Sequence, residues 1–328
     1  MASALLAERH DPFTSVRTKP RRLPAGGTIA VPSPASPILD PRLPLAGQAW
    51  LEELGYEVRF TQNANSRWGY AAGKPEARAR DIEEAFSDPE VDAVFCLNGG
   101  HAAAMVLRHL DYDLIAANPK PFVGFSDITV LHCALAAEAG LVTFWGPVFG
   151  QLGRAAPFTR NGLLRALTST EPLGVVDPSG PPARTIVPGE AEGELVGGTI
   201  SLLSSLLGTP WEVDTRGKIL LLEDVGEEPC RVHRLLFHML NAGKLDECAG
   251  ICLAEFTNCG PKTVRPLWHG PSLTLDDVFE HVLEPLGIPT IYGLPLGHGP
   301  LLQTVPFGVR ARLDADAGRL ELLEPGVF

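Results

Sequence analysis

Residues 121–132 of this chain read PFVGFSDITVLH. An apolar run of strand length ends at Ser126, and residues 128–139 then predict a largely apolar helix that ends at Gly140. Ser126 is therefore predicted to lie on a tight turn between a strand and a helix, where the helix N-terminus offers free N–H groups to developing negative charge. This geometry suits a serine nucleophile.

The same residues also fit a simpler role. A serine followed by Asp127 at a helix start is an ordinary N-cap with an acid in the first turn. The usual nucleophile pattern G-x-S-x-G is interrupted here by Ile128. At this stretch both roles stay open, and the rest of the chain must decide between them.

Strand and helix patterns alternate on both sides of this stretch. Strand patterns at residues 27–31, 56–60 and 91–97 each precede a helical pattern, which predicts an α/β fold with a mostly parallel sheet covered by helices on both faces. Ligands bind at the carboxyl ends of strands in such sheets. Both Ser126 and the sequence Asn98-Gly99-Gly100 follow a predicted strand, so both lie where a site is expected.

The sequence predicts four segments. The length of 328 residues favours roughly two domains of ordinary size. Residues 1–22 are basic and interrupted by prolines, and we expect a flexible leader without the apolar core of a signal peptide. Residues 23–150 form the first domain, residues 151–189 a linker with little structure of its own, and residues 190–328 a smaller α/β domain.

Composition and charge argue against several classes of partner. A hydrophobic fraction of 45% with 20% charged residues is typical of a globular protein. The net charge of −12 gives no basic surface for nucleic acid, and anionic membranes would repel the chain. The six cysteines lack CxxC pairs and indicate reduced core residues. We therefore expect a cytoplasmic protein with no metal and no cofactor.

Two further side chains could act together with the serine. His298 lies between two glycines that leave its imidazole accessible, although it could simply belong to a turn. Glu223 ends a strand pattern at residues 218–222 and should project into a cleft, although it could lie in solvent or pair with Arg231. A serine nucleophile needs a base and a group that orients the base, and glutamate can fill the third position. His132 falls on a helix, where a packed histidine is the ordinary explanation.

The chain resembles the LD-carboxypeptidases, a serine peptidase family that also contains the microcin C self-immunity peptidases. The matching segments run in family order from about residue 23 to residue 323 and are specific as a set. They are residues 23–33, 118–120, 124–129, 197–203, 221–224, 249–251, 293–298 and 306–308.

This resemblance implies a flavodoxin-like N-terminal domain, similar to the class I glutamine amidotransferases, and a smaller C-terminal α/β domain. It also implies that Ser126 is the nucleophile, His298 the base and Glu223 the acid that orients the base. The oxyanion hole is expected from the backbone N–H groups of Asp127 and Gly100. Fixed donors of this kind meet an oxyanion without reorganising.

The resemblance further implies a small peptide substrate. The expected reaction is hydrolysis of the L,D-amide bond that releases terminal D-alanine from muropeptide tetrapeptides, by an enzyme that forms a homodimer. The family typically carries Arg-Gly-Gly-Tyr-Gly where residues 98–102 of this chain read NGGHA. We therefore expect Asn98, Gly99 and His101 to contact substrate and to affect which substrate is chosen.

Two alternatives stay open. One is a hydrolase that resembles the microcin immunity peptidases and cuts aminoacyl-nucleotide amides, a role that favours aromatic stacking on a base. Four tryptophans are available for such stacking: Trp68, Trp145, Trp211 and Trp268. The other alternative is a catalytically silent homologue that only binds its ligand.

Overall fold

The computed structural model describes residues 17–177, 179–261 and 272–328. In the first part of the chain strands and helices alternate. The strands are β1 (Thr28–Val31), β2 (Glu57–Phe60), β3 (Ala93–Phe95), β4 (Phe122–Gly124) and β5 (Thr143–Trp145). The helices are α1 (Arg42–Glu53), α2 (Pro75–Ser87), α3 (Tyr112–Ala117) and α4 (Thr129–Glu138), and 3₁₀ turns cover Ala103–His109, Ser126–Ile128 and Phe149–Arg154.

The second part of the chain contains more strands than helices. The strands are β6 (Gly174–Val175), β7 (Arg184–Val187), β8 (Glu190–Thr199), β9 (Ile219–Val225), β10 (Gly250–Thr257), β11 (Thr290–Leu294), β12 (Val305–Phe307), β13 (Arg310–Asp314) and β14 (Arg319–Leu322). The helices are α5 (Pro157–Thr168), α6 (Ile200–Leu206), α7 (Pro229–Asn241) and α8 (Leu275–Leu283), with a 3₁₀ turn at Glu284–Leu286.

The first sheet confirms the predicted parallel α/β fold. Within the described residues its strand order is β12-β5-β4-β3-β1-β2, and every neighbouring pair from β2 to β5 is parallel. Strands β1, β3, β4 and β5 are buried at every position, as expected for a sheet covered on both faces. The carboxyl ends of β3 and β4 lead into the glycine turn and into Ser126.

The second sheet is larger than the first. In the described ranges it has the order β6-β14-β13-β8-β9-β10-β11-β7, eight strands against six in the first sheet. Strands β8 to β11 are parallel, and the outer strands are antiparallel. The second sheet has more strands because the supposed linker contributes β6 and β7 and the C-terminal hairpin adds β13 and β14.

The description of residues 151–189 as a linker with little structure is wrong, and the predicted leader is bound to the fold at Thr18. The segment 151–189 is structured, because α5 lies within it and β7 pairs with β11. Residues 1–16 of the predicted leader lie outside the described residues, but Thr18 exchanges backbone hydrogen bonds with Gly140 and Val142 at 2.8 and 2.9 Å. These contacts join residues far apart in the sequence, so local composition does not reveal them.

The C-terminal part of the chain returns to the first sheet. Strand β12 pairs antiparallel with β5, with Val305 opposite Trp145 and Phe307 opposite Thr143. The loop between β11 and β12 is therefore anchored in both sheets, and it carries His298. No helix in the described part of the chain has the length and apolar character needed to cross a bilayer.

Candidate active site

Ser126 lies on the strand-to-helix turn that the sequence predicts. The turn follows β4, and a 3₁₀ turn at Ser126–Ile128 leads into α4. The backbone of Ser126 is left-handed, with φ of 63°, a conformation that costs a non-glycine residue about 1–2 kcal/mol. Backbone strain of this kind clusters at functional sites, so it marks Ser126 as a candidate functional residue. The serine is partly exposed.

The imidazole of His298 connects the serine with a carboxylate. Its Nε2 lies 3.0 Å from Ser126 Oγ, and its Nδ1 lies 2.7 Å from Glu223 Oε2. A carboxylate only accepts hydrogen bonds, so Nδ1 carries the proton and Nε2 accepts from the serine hydroxyl. Three side chains from distant parts of the sequence therefore form one hydrogen-bonded line.

Glu223 is fully buried near the carboxyl end of β9. One carboxylate oxygen accepts from His298, and the other accepts from the hydroxyl of Thr199. The alternatives of a solvated carboxylate or a pair with Arg231 are wrong, since Arg231 instead contacts Glu227 at 3.6 Å. A buried charge is tolerated here because both oxygens are hydrogen-bonded.

Two threonines join the serine turn to the second sheet. The Thr129 hydroxyl donates to Ser126 O at 2.7 Å and accepts from the Thr199 N–H at 3.1 Å. Thr199 also donates its hydroxyl to Glu223. Together with His298 these contacts form a closed ring of hydrogen bonds across the boundary between the two sheets, so the serine and its partners are positioned relative to one another.

The loop around His298 packs against a second carboxylate. Gly299 N–H donates to Glu255 Oε2 at 3.0 Å, and a Cβ at Gly299 would lie 2.0 Å from that oxygen. Burial raises the pKa of Glu255, and the neighbouring Glu223 raises it further. Trp145 Nε1 donates to Leu296 O at 2.8 Å and ties the same loop to the first sheet.

The glycine turn after β3 lies directly beside the serine. A Cβ at Gly99 would lie 3.2 Å from Ser126 Cβ, and Gly100 adopts a positive φ of 103°. Ser36 holds this turn, since its hydroxyl accepts from His101 N–H at 2.9 Å and its carbonyl accepts from Asn98 Nδ2 at 3.4 Å. Of the predicted substrate-binding residues, His101 is exposed and Asn98 is partly buried.

Asp127 is buried, and its carboxylate accepts the N–H of Ala103 at 2.8 Å. Burial raises the pKa of this carboxyl. The contact ties the residue after the serine to the segment that follows the glycine turn. The two predicted oxyanion donors, the N–H groups of Asp127 and Gly100, thus belong to segments that are hydrogen-bonded together.

The three hydrogen-bonded side chains lie in two parts of the chain that each match a protein-family model. The model of the LD-carboxypeptidase N-terminal domain matches residues 29–146, and the model of the LD-carboxypeptidase C-terminal domain matches residues 192–313. The chain belongs to the LD-carboxypeptidase family. The first matched range contains Ser126, and the second contains both Glu223 and His298.

Individual members of the LD-carboxypeptidase family align over nearly the full chain. A probable murein peptide carboxypeptidase of Bacillus subtilis is 39% identical, covering 95% of this chain and 96% of its own length. The murein tetrapeptide carboxypeptidase of Pseudomonas aeruginosa is 33% identical over 89% and 95% of the two chains. The crystal structure of an MccF-like protein from Bacillus anthracis superposes with a TM-score of 0.82 at 29% identity, covering 93% and 99%.

Some residues of this LD-carboxypeptidase site were not predicted as parts of it. Thr199 is the last residue of β8, whose final five positions are buried, and Glu255 is a single carboxylate near the end of the otherwise largely apolar β10. The same pattern singled out Glu223, so it could have indicated Glu255 as well. Thr129 has no such signal, because its role depends on a contact with the other sheet.

The tryptophans differ in their suitability for stacking on a base. Trp145 is fully buried in the core, and Trp211 is partly buried, whereas Trp68 is half exposed. Trp268 lies outside the described residues. Among the described residues no group of three or more His, Cys, Asp or Glu side chains is arranged to hold a metal ion.

Proposed function

We propose that this chain is a serine carboxypeptidase that releases terminal D-alanine from muropeptide tetrapeptides by cutting the L,D-amide bond. One observation carries the proposal: the line of hydrogen bonds from Ser126 through His298 to the buried Glu223. Membership in the LD-carboxypeptidase family and relatives named murein peptide and murein tetrapeptide carboxypeptidases support the substrate class.

In the first half of the reaction Ser126 Oγ attacks the carbonyl carbon of the scissile amide. His298 Nε2 takes the hydroxyl proton as the C–O bond forms, and Glu223 stabilises the imidazolium and keeps Nδ1 protonated. When the C–N bond breaks, the same Nε2 proton passes to the leaving amine. The products are free D-alanine and an ester between Ser126 and the shortened peptide.

The second half of the reaction regenerates the serine. Water enters the place of the leaving amine, His298 takes one of its protons, and the resulting hydroxide attacks the ester carbon. The proton returns to Ser126 Oγ as the C–O bond to the serine breaks. In both halves the N–H groups of Gly100 and Asp127 are proposed to bind the oxyanion, a contribution worth about 3–4 kcal/mol per donor in comparable sites.

The test is a digest of L-Ala-D-Glu-meso-diaminopimelate-D-Ala with chromatographic detection of free D-alanine. We expect release by the unaltered protein and by Ser205→Ala, an exposed serine on α6 that serves as the matched control. Ser126→Ala should lose about three or more orders of magnitude in kcat. Equal release by the two serine variants would remove the assignment.

Two competing functions are outcomes of the same experiment. Preferential cleavage of an aminoacyl-sulfamoyl-adenosine in direct competition with the tetrapeptide would favour a hydrolase similar to the microcin immunity peptidases. A folded protein that cleaves neither compound, and whose Ser126 is not labelled by a serine-directed fluorophosphonate, would favour a silent binding protein.

Two further properties are the cellular compartment and the oligomeric state of the enzyme. We propose that it acts in the cytoplasm as a homodimer. The six cysteines are free thiols, five of them buried, which fits a reducing compartment. Recovery of the protein outside the cytoplasm on cell fractionation, or a monomer mass in sedimentation at micromolar concentration, would contradict the respective part of this proposal.

A further inference from the structure

A cleft opens beside His298, whose Nε2 lies 3.0 Å from Ser126 Oγ. Its volume is about 530 Å³, including the open mouth. The residue before the nucleophile, Phe125, lines it together with His298, and their ring centroids are 4.7 Å apart. Further round the wall lie Gln151, Arg154 and Leu302.

The proposed reaction determines which part of the substrate enters this cleft. His298 Nε2 must take the serine proton and deliver it to the leaving amine, so the leaving nitrogen has to come within hydrogen-bond reach of Nε2. The residue that leaves is therefore on the His298 side of Ser126. The cleft lined by His298 and its flanking glycines is the space available on that side.

The polar groups of the cleft match a residue with a free carboxylate. Among the described residues that line it, Arg154 is the one with a permanent positive charge, and it is exposed without a hydrogen-bond or ion-pair partner in the described part of the chain. Asp40 is close enough to feel this charge, but its carboxylate is bound to Arg42 at 2.8 Å. A guanidinium binds a carboxylate through two parallel N–H donors.

The remaining lining fits a small residue attached through an amide. Gln151 Oε1 is buried and has no hydrogen-bond partner within the described residues, so a substrate N–H can satisfy it. Phe125, Pro147 and Leu302 offer apolar surface for a methyl group. These features together describe a terminal alanine, with an amide nitrogen, a methyl group and a carboxylate.

We propose that this cleft is the subsite for the C-terminal residue of the substrate and that Arg154 is the specificity-determining residue that binds its carboxylate. The inference rests on the proposed carboxypeptidase function. It adds a physical reason why such an enzyme would prefer a peptide with a free C-terminal carboxylate to the same peptide as its amide.

The test compares two substrates that differ in one group, the tetrapeptide with a free C-terminal carboxylate and the same peptide as its C-terminal amide. For the unaltered enzyme we expect kcat/KM to favour the acid about tenfold to a hundredfold, the range of a charge-assisted pair. Arg154→Gln should abolish this preference by slowing cleavage of the acid alone. Arg165→Gln removes the same charge from an exposed position of α5 and should leave the preference unchanged.

A binding measurement separates this inference from the proposed function. In the Ser126→Ala background, calorimetry should give a Kd for the acid about tenfold or more below that for the amide, and adding Arg154→Gln should equalise the two. D-alanine release by the unaltered enzyme with an acid preference that survives Arg154→Gln would overturn the subsite and leave the function standing. No D-alanine release at all would overturn both.

Discussion

Two regions in the described part of the chain hold a histidine with both ring nitrogens hydrogen-bonded, and they differ in the chemistry of the partners. His132 lies in α4 and is buried, with Nδ1 2.8 Å from Thr143 Oγ1 and Nε2 2.8 Å from Gly124 O. The side chain of His298 is 17% exposed in the loop after β11, between the serine hydroxyl and the carboxylate of Glu223.

The partners impose opposite tautomers. The carbonyl of Gly124 can only accept, so His132 carries its proton on Nε2, whereas the carboxylate of Glu223 requires the proton of His298 on Nδ1. Burial without a counter-charge lowers the pKa of His132 to about 4. The same side chain is thus a neutral structural group in one region and the proposed proton carrier in the other.

The largest expected effect comes from giving His298 a neutral partner like that of His132. Glu223→Gln removes the charge that stabilises the imidazolium, and the amide can donate to Nδ1 and so favour the wrong tautomer. We expect kcat for D-alanine release to fall by about 10³–10⁴. Glu227→Gln, which changes the nearby partner of Arg231, is the control. A loss of less than tenfold in Glu223→Gln would show that the partner's charge is unimportant.

The second prediction concerns stability in the region of His132. A histidine whose pKa is depressed in the folded state stabilises the fold fully above the unfolded pKa of 6.5, and this stability is lost as the pH falls towards about 4. The shift corresponds to about 3 kcal/mol. Urea unfolding between pH 7 and pH 4 should therefore show a steeper loss for the unaltered protein than for His132→Gln.

A buried acid provides the internal control for that measurement. Burial raises the pKa of Asp224 to about 6, so its contribution to stability has the opposite sign and is lost as the pH rises from about 4 through 6. Both proteins contain Asp224, and its effect cancels in the difference between them. Parallel pH profiles of the two proteins would contradict the assignment of His132 as a neutral structural group.

The sequence predicts the site residues that have a local signal, but it does not predict the long-range contacts that hold them. Ser126, Glu223 and His298 each stand where an apolar strand pattern gives way to a polar or glycine-rich one, which is a local signal. The pairing of β12 with β5 has no local signal, because three residues of strand are indistinguishable from a loop until the partner strand is known. The contact between Thr129 and Thr199 is equally invisible, since it joins two sheets.

The third prediction tests how tightly the His298 loop must be held. Gly299→Ala would place a Cβ 2.0 Å from Glu255 Oε2, so the loop or the carboxylate must shift, and either movement disturbs the Gly299 N–H contact that holds the loop. Misplacement of a base by about 1 Å can cost about a hundredfold in rate, and we expect that loss in kcat/KM. Gly260→Ala, whose Cβ would meet nothing within 4 Å, should be neutral.

A second substitution makes this prediction sharper. Glu255→Ala removes the atoms with which the new methyl group collides, so the double variant Gly299→Ala, Glu255→Ala should recover part of the lost activity. A double variant that is less active than Gly299→Ala alone would mean that Glu255 acts on His298 through its charge. Glu255 would then act on His298 electrostatically, as Glu223 does, and would not serve only to hold the loop in place.

The smallest effect is expected at Thr129, which lies on the same helix as His132 but belongs to the ring of hydrogen bonds around the serine. Thr129→Val keeps the shape and removes the hydroxyl, leaving Ser126 O and Thr199 N–H without this partner. We expect about a tenfold loss in kcat/KM and about 1–2 kcal/mol less stability in urea unfolding. Thr129→Ser restores the hydroxyl and should stay close to the unaltered protein. If the valine and serine variants behave alike, α4 positions Ser126 by packing alone. The hydrogen bonds around His298 would then not depend on the helix that carries His132.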